Sequence, residues 1–127
     1  MADSTILVVE DDAHMRATLG ATLRKAGYAV EAVGDFHEAR SKICKENYGL
    51  ILTDLKMPNG SGMDVLEEVK SVNPGVPVIV MTAYGTVQAA VAAMKGGAAD
   101  FIQKPFSFDA LKEAVCRSLK ARGSPRR

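Results

Sequence analysis

Four sets of polar residues in this chain share one placement: each stands directly after a short apolar run. Glu10-Asp11-Asp12 follows Ile6-Leu7-Val8-Val9, Asp54 closes Leu50-Ile51-Leu52-Thr53, Thr82 closes Val78-Ile79-Val80-Met81, and Lys104 follows Asp100 to Gln103. If those runs are neighbouring strands, carboxylates, a hydroxyl and an ammonium meet along one edge. Carboxylates crowded into a small space raise one another's pKa unless a cation is present, so their convergence argues for a bound hard metal. Oxygen ligands without cysteine or histidine favour Mg²⁺ over zinc or copper. Mg²⁺ takes one or two carboxylates, keeps several waters and accepts phosphate oxygens, which leaves a position for a phosphoryl donor.

Each residue also has a plainer use. Asp12 is better read as a helix cap, because an aspartate there satisfies orphan backbone donors. A cap suits Asp54 poorly, since Leu55-Lys56-Met57-Pro58 leads into a loop. A threonine after a strand is commonly a turn residue, and a lysine before a proline is commonly solvated. Either acid group alone divides evenly between structure and function, and the coincidence of all four favours function. Asn59-Gly60-Ser61-Gly62 lacks the lysine and hydroxyl of a GxxxxGK[ST] phosphate loop and reads as a turn. His14 and His37 are expected on exposed helix surfaces, Met57, Met63, Met81 and Met94 in core and loop packing, and Cys44 and Cys116 as buried or half-buried free thiols.

The elements that would position these groups follow from hydrophobic periodicity. β-branched apolar runs predict strands over Thr5 to Glu10, Tyr28 to Ala32, Gly49 to Asp54, Val76 to Thr82 and Asp100 to Gln103. The first, third and fourth are nearly continuous hydrophobics, as central parallel strands covered on both faces should be. Between them, apolar residues return every three or four positions. Met15, Leu19, Leu23 and Ala26 mark a first helix closed by Gly27, and Phe36, Ala39 and Ile43 a second. Met63, Val65, Leu66 and Val69 mark a third, stopped at Asn73-Pro74-Gly75, and Val87, Ala90, Val91 and Met94 a fourth, ended by Gly96-Gly97. Leu111, Ala114, Val115 and Leu119 mark a fifth that begins after Asp109 or after a residue just before it. Five βα units in series predict an α/β fold with a doubly wound, five-stranded parallel sheet of flavodoxin-like order 2-1-3-4-5, with two helices on one face and three on the other. Ligands collect outside the carboxyl ends of such strands, which is where all four polar sets fall.

A chain of 127 residues has room for one such domain, here residues 1–121, with the basic, Pro/Gly/Ser-containing 122–127 as a linker or tail. Nearly half apolar and a quarter charged, it has the composition of a folding chain rather than a disordered one. A formal net charge of +1 gives no global attraction to nucleic acid or to an anionic membrane, and no apolar run is long enough to span a bilayer. A cytoplasmic location is expected.

The ordered motifs Glu10-Asp11-Asp12, Asp54-Leu55-Lys56-Met57-Pro58 with Gly60 to Gly62, Met81-Thr82-Ala83 and Lys104-Pro105-Phe106 resemble the receiver domain of bacterial two-component response regulators from about residue 4 to residue 121. The resemblance implies that Asp54 is the phosphoacceptor for a phosphoryl group carried on a histidine of a sensor kinase or on a small donor. It further implies Asp11 as a direct Mg²⁺ ligand, Glu10 acting mainly through water, and the Lys56 carbonyl completing the protein ligands. Lys104 would offset charge on the phosphoryl oxygens and Thr82 would hydrogen-bond one of them. Phe101, at the offset of the family's switch aromatic, would fill the space Thr82 vacates; a plain core aromatic is an equal reading. The surface of the fourth helix, fifth strand and fifth helix would carry the signal onward.

A haloacid-dehalogenase-type hydrolase also uses an aspartate after a strand, but needs a second aspartate two positions on, where this chain has Lys56. A phosphate-independent binding module would not need the complete acid, threonine and lysine set. Met81-Thr82-Ala83-Tyr84-Gly85 and Ala92 through Ile102 are similar to receivers of the nitrogen-regulatory class, which precede an ATPase that activates σ54 RNA polymerase. That likeness implies a longer transcription activator, with ATPase and DNA-binding output domains, that forms a homodimer on phosphorylation.

Overall fold

A computed structural model describes residues 5–83 and 86–123; Tyr84-Gly85 of the quoted motif and 124–127 of the expected tail lie outside the described residues. The elements run β1 (Thr5–Val9), α1 (Ala13–Lys25), β2 (Ala29–Val33), α2 (Phe36–Lys45), β3 (Leu50–Asp54), a small hairpin β4 (Lys56–Met57) and β5 (Gly60–Ser61), α3 (Gly62–Val72), β6 (Val78–Thr82), α4 (Val87–Lys95), β7 (Asp100–Gln103) and α5 (Phe108–Gly123). The main sheet is parallel throughout, in the order β2-β1-β3-β6-β7. With the hairpin strands set aside this is the expected 2-1-3-4-5, and the continuous apolar runs β1, β3 and β6 occupy its centre.

Strand alternation sends the two halves of each run to opposite cores. Leu7, Val9, Ile51, Val78 and Val80 meet Ala39 and Ile43 of α2, Val65, Leu66 and Val69 of α3, and Ala93 of α4. Ile6, Val8, Leu50, Leu52, Ile79 and Met81 meet Leu19 and Leu23 of α1 and Leu111, Ala114 and Val115 of α5. Three helices therefore cover one face and two the other. Each fully buried leucine or isoleucine contributes roughly 1.5–3 kcal/mol of transfer free energy, which makes the central strands a rigid floor for their carboxyl-end groups.

Local signals end the helices where the sequence said they would. Gly27 at φ +105 closes α1, its N–H donating to the Arg24 carbonyl at 2.9 Å. Gly97 at φ +103 closes α4, and α3 stops at Asn73. α5 starts at Phe108, where the Ser107 hydroxyl accepts from the Ala110 N–H at 3.0 Å, and it continues to Gly123, two residues into the expected tail.

Two expectations need correction. The fourth-helix stripe does not face the core: Val87 is 80% exposed, Val91 44% and Met94 49%, while Ala93 is the buried residue. A small side chain seats α4 against the sheet and leaves the larger ones on the outside, so Met94 is not a packing residue. Cys44 is exposed rather than buried, its Sγ 3.4 Å from Glu68 Oε2, because it follows the core residue Ile43 by one 100° step around α2. Cys116 is half-buried and both histidines are exposed, as expected.

Candidate functional site

The register of the sheet assembles the site. Val9 pairs with Thr53, so the next residues, Glu10 and Asp54, stand side by side where β1 and β3 end. Asp54 pairs with Met81, one residue before Thr82, and Thr82 pairs with Gln103, one before Lys104. The Lys104 N–H donates to the Thr82 carbonyl at 2.8 Å, and the Lys104-Pro105 bond is cis. The Lys104 ammonium then reaches back across β6, donating to Glu10 Oε1 at 2.7 Å and to Asp54 Oδ2 at 3.1 Å. Three groups separated by as much as 94 positions in the chain thus form one ion-paired cluster.

Asp11 completes it. One carboxylate oxygen each from Glu10, Asp11 and Asp54 lie within 4.8 Å of one another. The three differ in depth: Glu10 is 1% exposed, the Asp54 side chain 11%, and Asp11 is open to solvent. Burial pushes the Glu10 carboxyl above the usual carboxylate range and the nearby Asp54 charge adds to this, against hydrogen bonds from Lys104 and the Asp12 N–H. Burial also works against the Lys104 ammonium, but its hydrogen bonds to Glu10 and Asp54 outweigh that and raise its pKa. With all three acids ionised, three carboxylates face one ammonium and two negative charges remain, the charge of one divalent cation.

The donor set suits a hard cation. Opposite oxygens of an octahedral Mg²⁺ stand roughly 4.2 Å apart, so the observed spread closes by rotamer-scale movement or through a bridging water. A cysteine or histidine ligand is absent from the cluster, which argues against zinc.

The chain after Asp54 is tightly held. Thr53 Oγ1 donates to the Asp54 carbonyl at 2.9 Å, the Leu55 N–H to Met81 O at 2.8 Å, and the Gly62 N–H to Leu55 O at 2.7 Å. The turn expected over 59–62 is in fact part of a hairpin, Lys56 pairing with Ser61 and Met57 with Gly60 around Asn59 at φ +65. Ser61 then caps α3, its hydroxyl accepting from the Asp64 N–H at 3.3 Å while Asp64 Oδ2 accepts from the Ser61 N–H at 2.9 Å. A Cβ on Gly62 would stand 2.5 Å from the Asp54 carbonyl oxygen, so a side chain there is incompatible with the present path of the loop.

Of the remaining candidates, Lys56 sits exposed in β4, two residues beyond Asp54. Thr82 lies on the same edge but is wholly buried. Phe101 pairs with Val80 and packs against the core under α2, α3 and α4, on the face that alternation also assigns to Thr82. Asp12 caps α1, accepting from the Met15 N–H at 3.0 Å, and this hydrogen bond holds its carboxyl below the usual range. Sequence reasoning passed over Arg16, whose guanidinium donates to the Glu10 and Asp11 carbonyls at 2.8 and 3.4 Å. It also missed the close approach at Gly62, which only the three-dimensional path of the loop reveals.

With this geometry in hand, comparison with known proteins is specific. Residues 6–116 match the family described as the response regulator receiver domain. The C4-dicarboxylate transport transcriptional regulatory protein DctD of Pseudomonas aeruginosa is 39% identical over 121 residues, which cover 95% of this chain and 26% of that protein. The beryllofluoride-activated NtrC4 receiver domain dimer superposes with a TM-score of 0.89 at 32% identity, covering 94% of this chain and 98% of that one. A CheY-like receiver domain protein from Methanospirillum hungatei JF-1 superposes with a TM-score of 0.93 at 29% identity, covering 98% and 99%. The chain thus spans about a quarter of the length of the DctD relative, and the likeness to nitrogen-regulatory receivers extends from motifs to a solved structure.

Proposed function

This chain belongs to the response regulator receiver domain family, and from that premise we propose that Asp54 is its phosphoacceptor and Mg²⁺ its cofactor. The observation that carries the reading is the Asp54 carboxylate, partly open to solvent, held 3.1 Å from the Lys104 ammonium with Glu10 and Asp11 at its side. In the transfer, an Asp54 oxygen forms a bond to phosphorus as the bond from phosphorus to the donor histidine breaks. The released electron pair goes to the imidazole nitrogen. Bound Mg²⁺ would supply positive charge at the phosphoryl oxygens. Asp11 would ligate it directly, Glu10 would act mainly through a coordinated water, and the Lys56 carbonyl would complete the protein ligands. Lys104, already on Asp54, shares its ammonium with the arriving phosphoryl oxygens. The Thr82 hydroxyl turns to hydrogen-bond one of them, and Phe101, on the same face of the sheet, follows into the space left behind. Asp54 then loses its phosphoryl group by slow hydrolysis, so the domain catalyses its own modification and does not turn over a separate substrate.

The signal leaves through α4, β7 and α5. Exposed Val87, Val91 and Met94 on α4, and Phe108 at 39% exposure on α5, support this surface as the contact for an output domain or a second copy. The partners in this reading are a sensor histidine kinase and, on phosphorylation, a second copy of this domain. Its own transcription-activating output domains, an ATPase and a DNA-binding unit, would respond to the switch. The domain itself touches no nucleic acid and works in the cytoplasm; among the described residues no helix is long and apolar enough to cross a membrane.

The test is Phos-tag electrophoresis after incubation with acetyl phosphate. One labile phosphoryl group per chain is expected with Mg²⁺, and none with EDTA or in Asp54→Asn. Uptake that persists in Asp54→Asn sinks the assignment, release of many phosphates per chain would favour a hydrolase, and no uptake by the parent would favour a phosphate-independent module.

A further inference from the structure

Arg16 lies on α1, six positions beyond Glu10, yet its side chain turns back over the start of the helix. Its Nη1 donates to the carbonyl oxygen of Glu10 at 2.8 Å and to that of Asp11 at 3.4 Å. These are main-chain acceptors, so the guanidinium fixes the path of the segment instead of neutralising its carboxylates. The neighbouring loop is shaped around it. At Gly34, between β2 and α2, a Cβ would stand 3.0 Å from Arg16 Nη1 and 3.6 Å from its Cζ, so the lack of a side chain leaves the guanidinium its place. The loop is held in turn, because the Gly34 N–H donates to Glu38 Oε1 at 2.8 Å and the Glu10 N–H donates to the Val33 carbonyl at 3.0 Å. A long, flexible arginine loses rotamer freedom when it is pinned this way on a surface that offers it water. What it holds are the two peptides that carry Glu10 and Asp11.

The geometry points to Arg16 as a positioning residue for the cation site, a clamp whose two backbone hydrogen bonds, seated over Gly34, set the Glu10 and Asp11 carboxylates at the spacing a divalent cation needs. This rests on the reading of those two acids as Mg²⁺ partners. It also makes a prediction opposite in sign to simple electrostatics. If Arg16 acted only as a nearby positive charge, removing it would tighten cation binding; as a clamp, removing it loosens binding. Gly34→Ala probes the same point from the other side, since its Cβ would press the guanidinium back by a few tenths of an ångström while keeping its charge, and the φ of Gly34 lies outside the left-handed range, so alanine is tolerated there.

The experiment is a Mg²⁺ titration of the parent, Arg16→Met, Gly34→Ala and Arg16→Lys, followed by the backbone amide signals of the β1–α1 loop, with urea unfolding of each in EDTA. Outer partners of metal ligands are worth about tenfold or more in affinity, so Arg16→Met should weaken Mg²⁺ binding by about tenfold at nearly unchanged urea midpoint, and Gly34→Ala, which only presses the guanidinium back, by a smaller factor. Arg16→Lys, which keeps the charge but has a single donor head, should recover only part of the loss. Binding as tight as the parent's or tighter in Arg16→Met, or an unaltered affinity in Gly34→Ala, overturns the clamp. So does a loss of affinity that only tracks a fallen urea midpoint in both variants, since Arg16 would then be structural. A parent that binds no Mg²⁺ fails at the earlier step and takes down the cofactor assignment itself.

Discussion

Replacing Gly62 by alanine sets two rules of protein stability against each other. Gly62 is the first residue of α3, and helix propensity alone favours alanine over glycine by about 0.5–1 kcal/mol. The structure gives the opposite sign. The new Cβ would lie 2.5 Å from the Asp54 carbonyl oxygen and 2.9 Å from Leu55 Cα, and these are backbone atoms that cannot rotate aside. Restoring an ordinary contact of about 3.5 Å requires the start of α3 and the end of β3 to separate by roughly 1 Å. That movement strains the 2.7 Å hydrogen bond from the Gly62 N–H to Leu55 O, worth about 1 kcal/mol, in addition to an overpacking cost of about 1–3 kcal/mol. The net expectation is a loss of about 2 kcal/mol. In urea, with a slope of about 2 kcal/mol per molar, the midpoint should fall by roughly 1 M. The same displacement moves Asp54, and a misplacement of roughly 1 Å is enough to slow a positioned reaction about 100-fold, so phosphoryl uptake should slow along with the loss of stability. A Gly62→Ala protein with an unchanged or higher urea midpoint would show that the helix rule wins and that the loop yields freely.

Lys104→Met leaves the buried Glu10 carboxylate without its ammonium and should cost about 1–3 kcal/mol in urea at about pH 7.5 in EDTA. Glu10 already has a raised pKa, so its protonated form favours the folded state: that contribution is full below its ordinary value and fades as pH rises through the raised one. The variant's deficit should therefore shrink toward about pH 5, and a deficit that stays constant would mean Lys104 acts by packing alone. Tyr48→Phe tests the other sign. The Tyr48 hydroxyl donates to Glu31 Oε1 at 2.7 Å and holds the Glu31 carboxyl below the usual range, a contribution present above the ordinary carboxylate value and lost as pH falls through the lowered one. Because the Glu31 side chain is 38% exposed and solvent screens it, the variant should cost only about 0.5–1 kcal/mol near neutral pH and less below about pH 4; equal costs at both would refute the coupling.

The sheet was legible because its information is local and repeated. Four consecutive β-branched or aliphatic residues are best buried on both sides of a strand, so β1, β3 and β6 announced a covered parallel sheet, and the polar residues that end them announced the acidic cluster at its rim. The 2.7 Å contact between Lys104 and Glu10 was beyond that reading, because it depends on side chains meeting across the ends of the two strands, β6 and β3, that lie between them, and residue types alone do not encode that reach. Arg16 and Gly62 were illegible for a related reason. An arginine on a helix and a glycine after a turn are each common, and their meaning lies in main-chain atoms that the fold brings against them. The α4 stripe is the instructive failure. Val87, Val91 and Met94 recur with the spacing of a core face, and periodicity cannot tell which surface an apolar face is meant for. Here the core is served by Ala93, whose small side chain seats the helix against the sheet, while the larger residues face outward. An amphipathic pattern whose apolar side points to solvent is an unpartnered surface, and under the proposed switch through Thr82 and Phe101 that is the property an output contact requires.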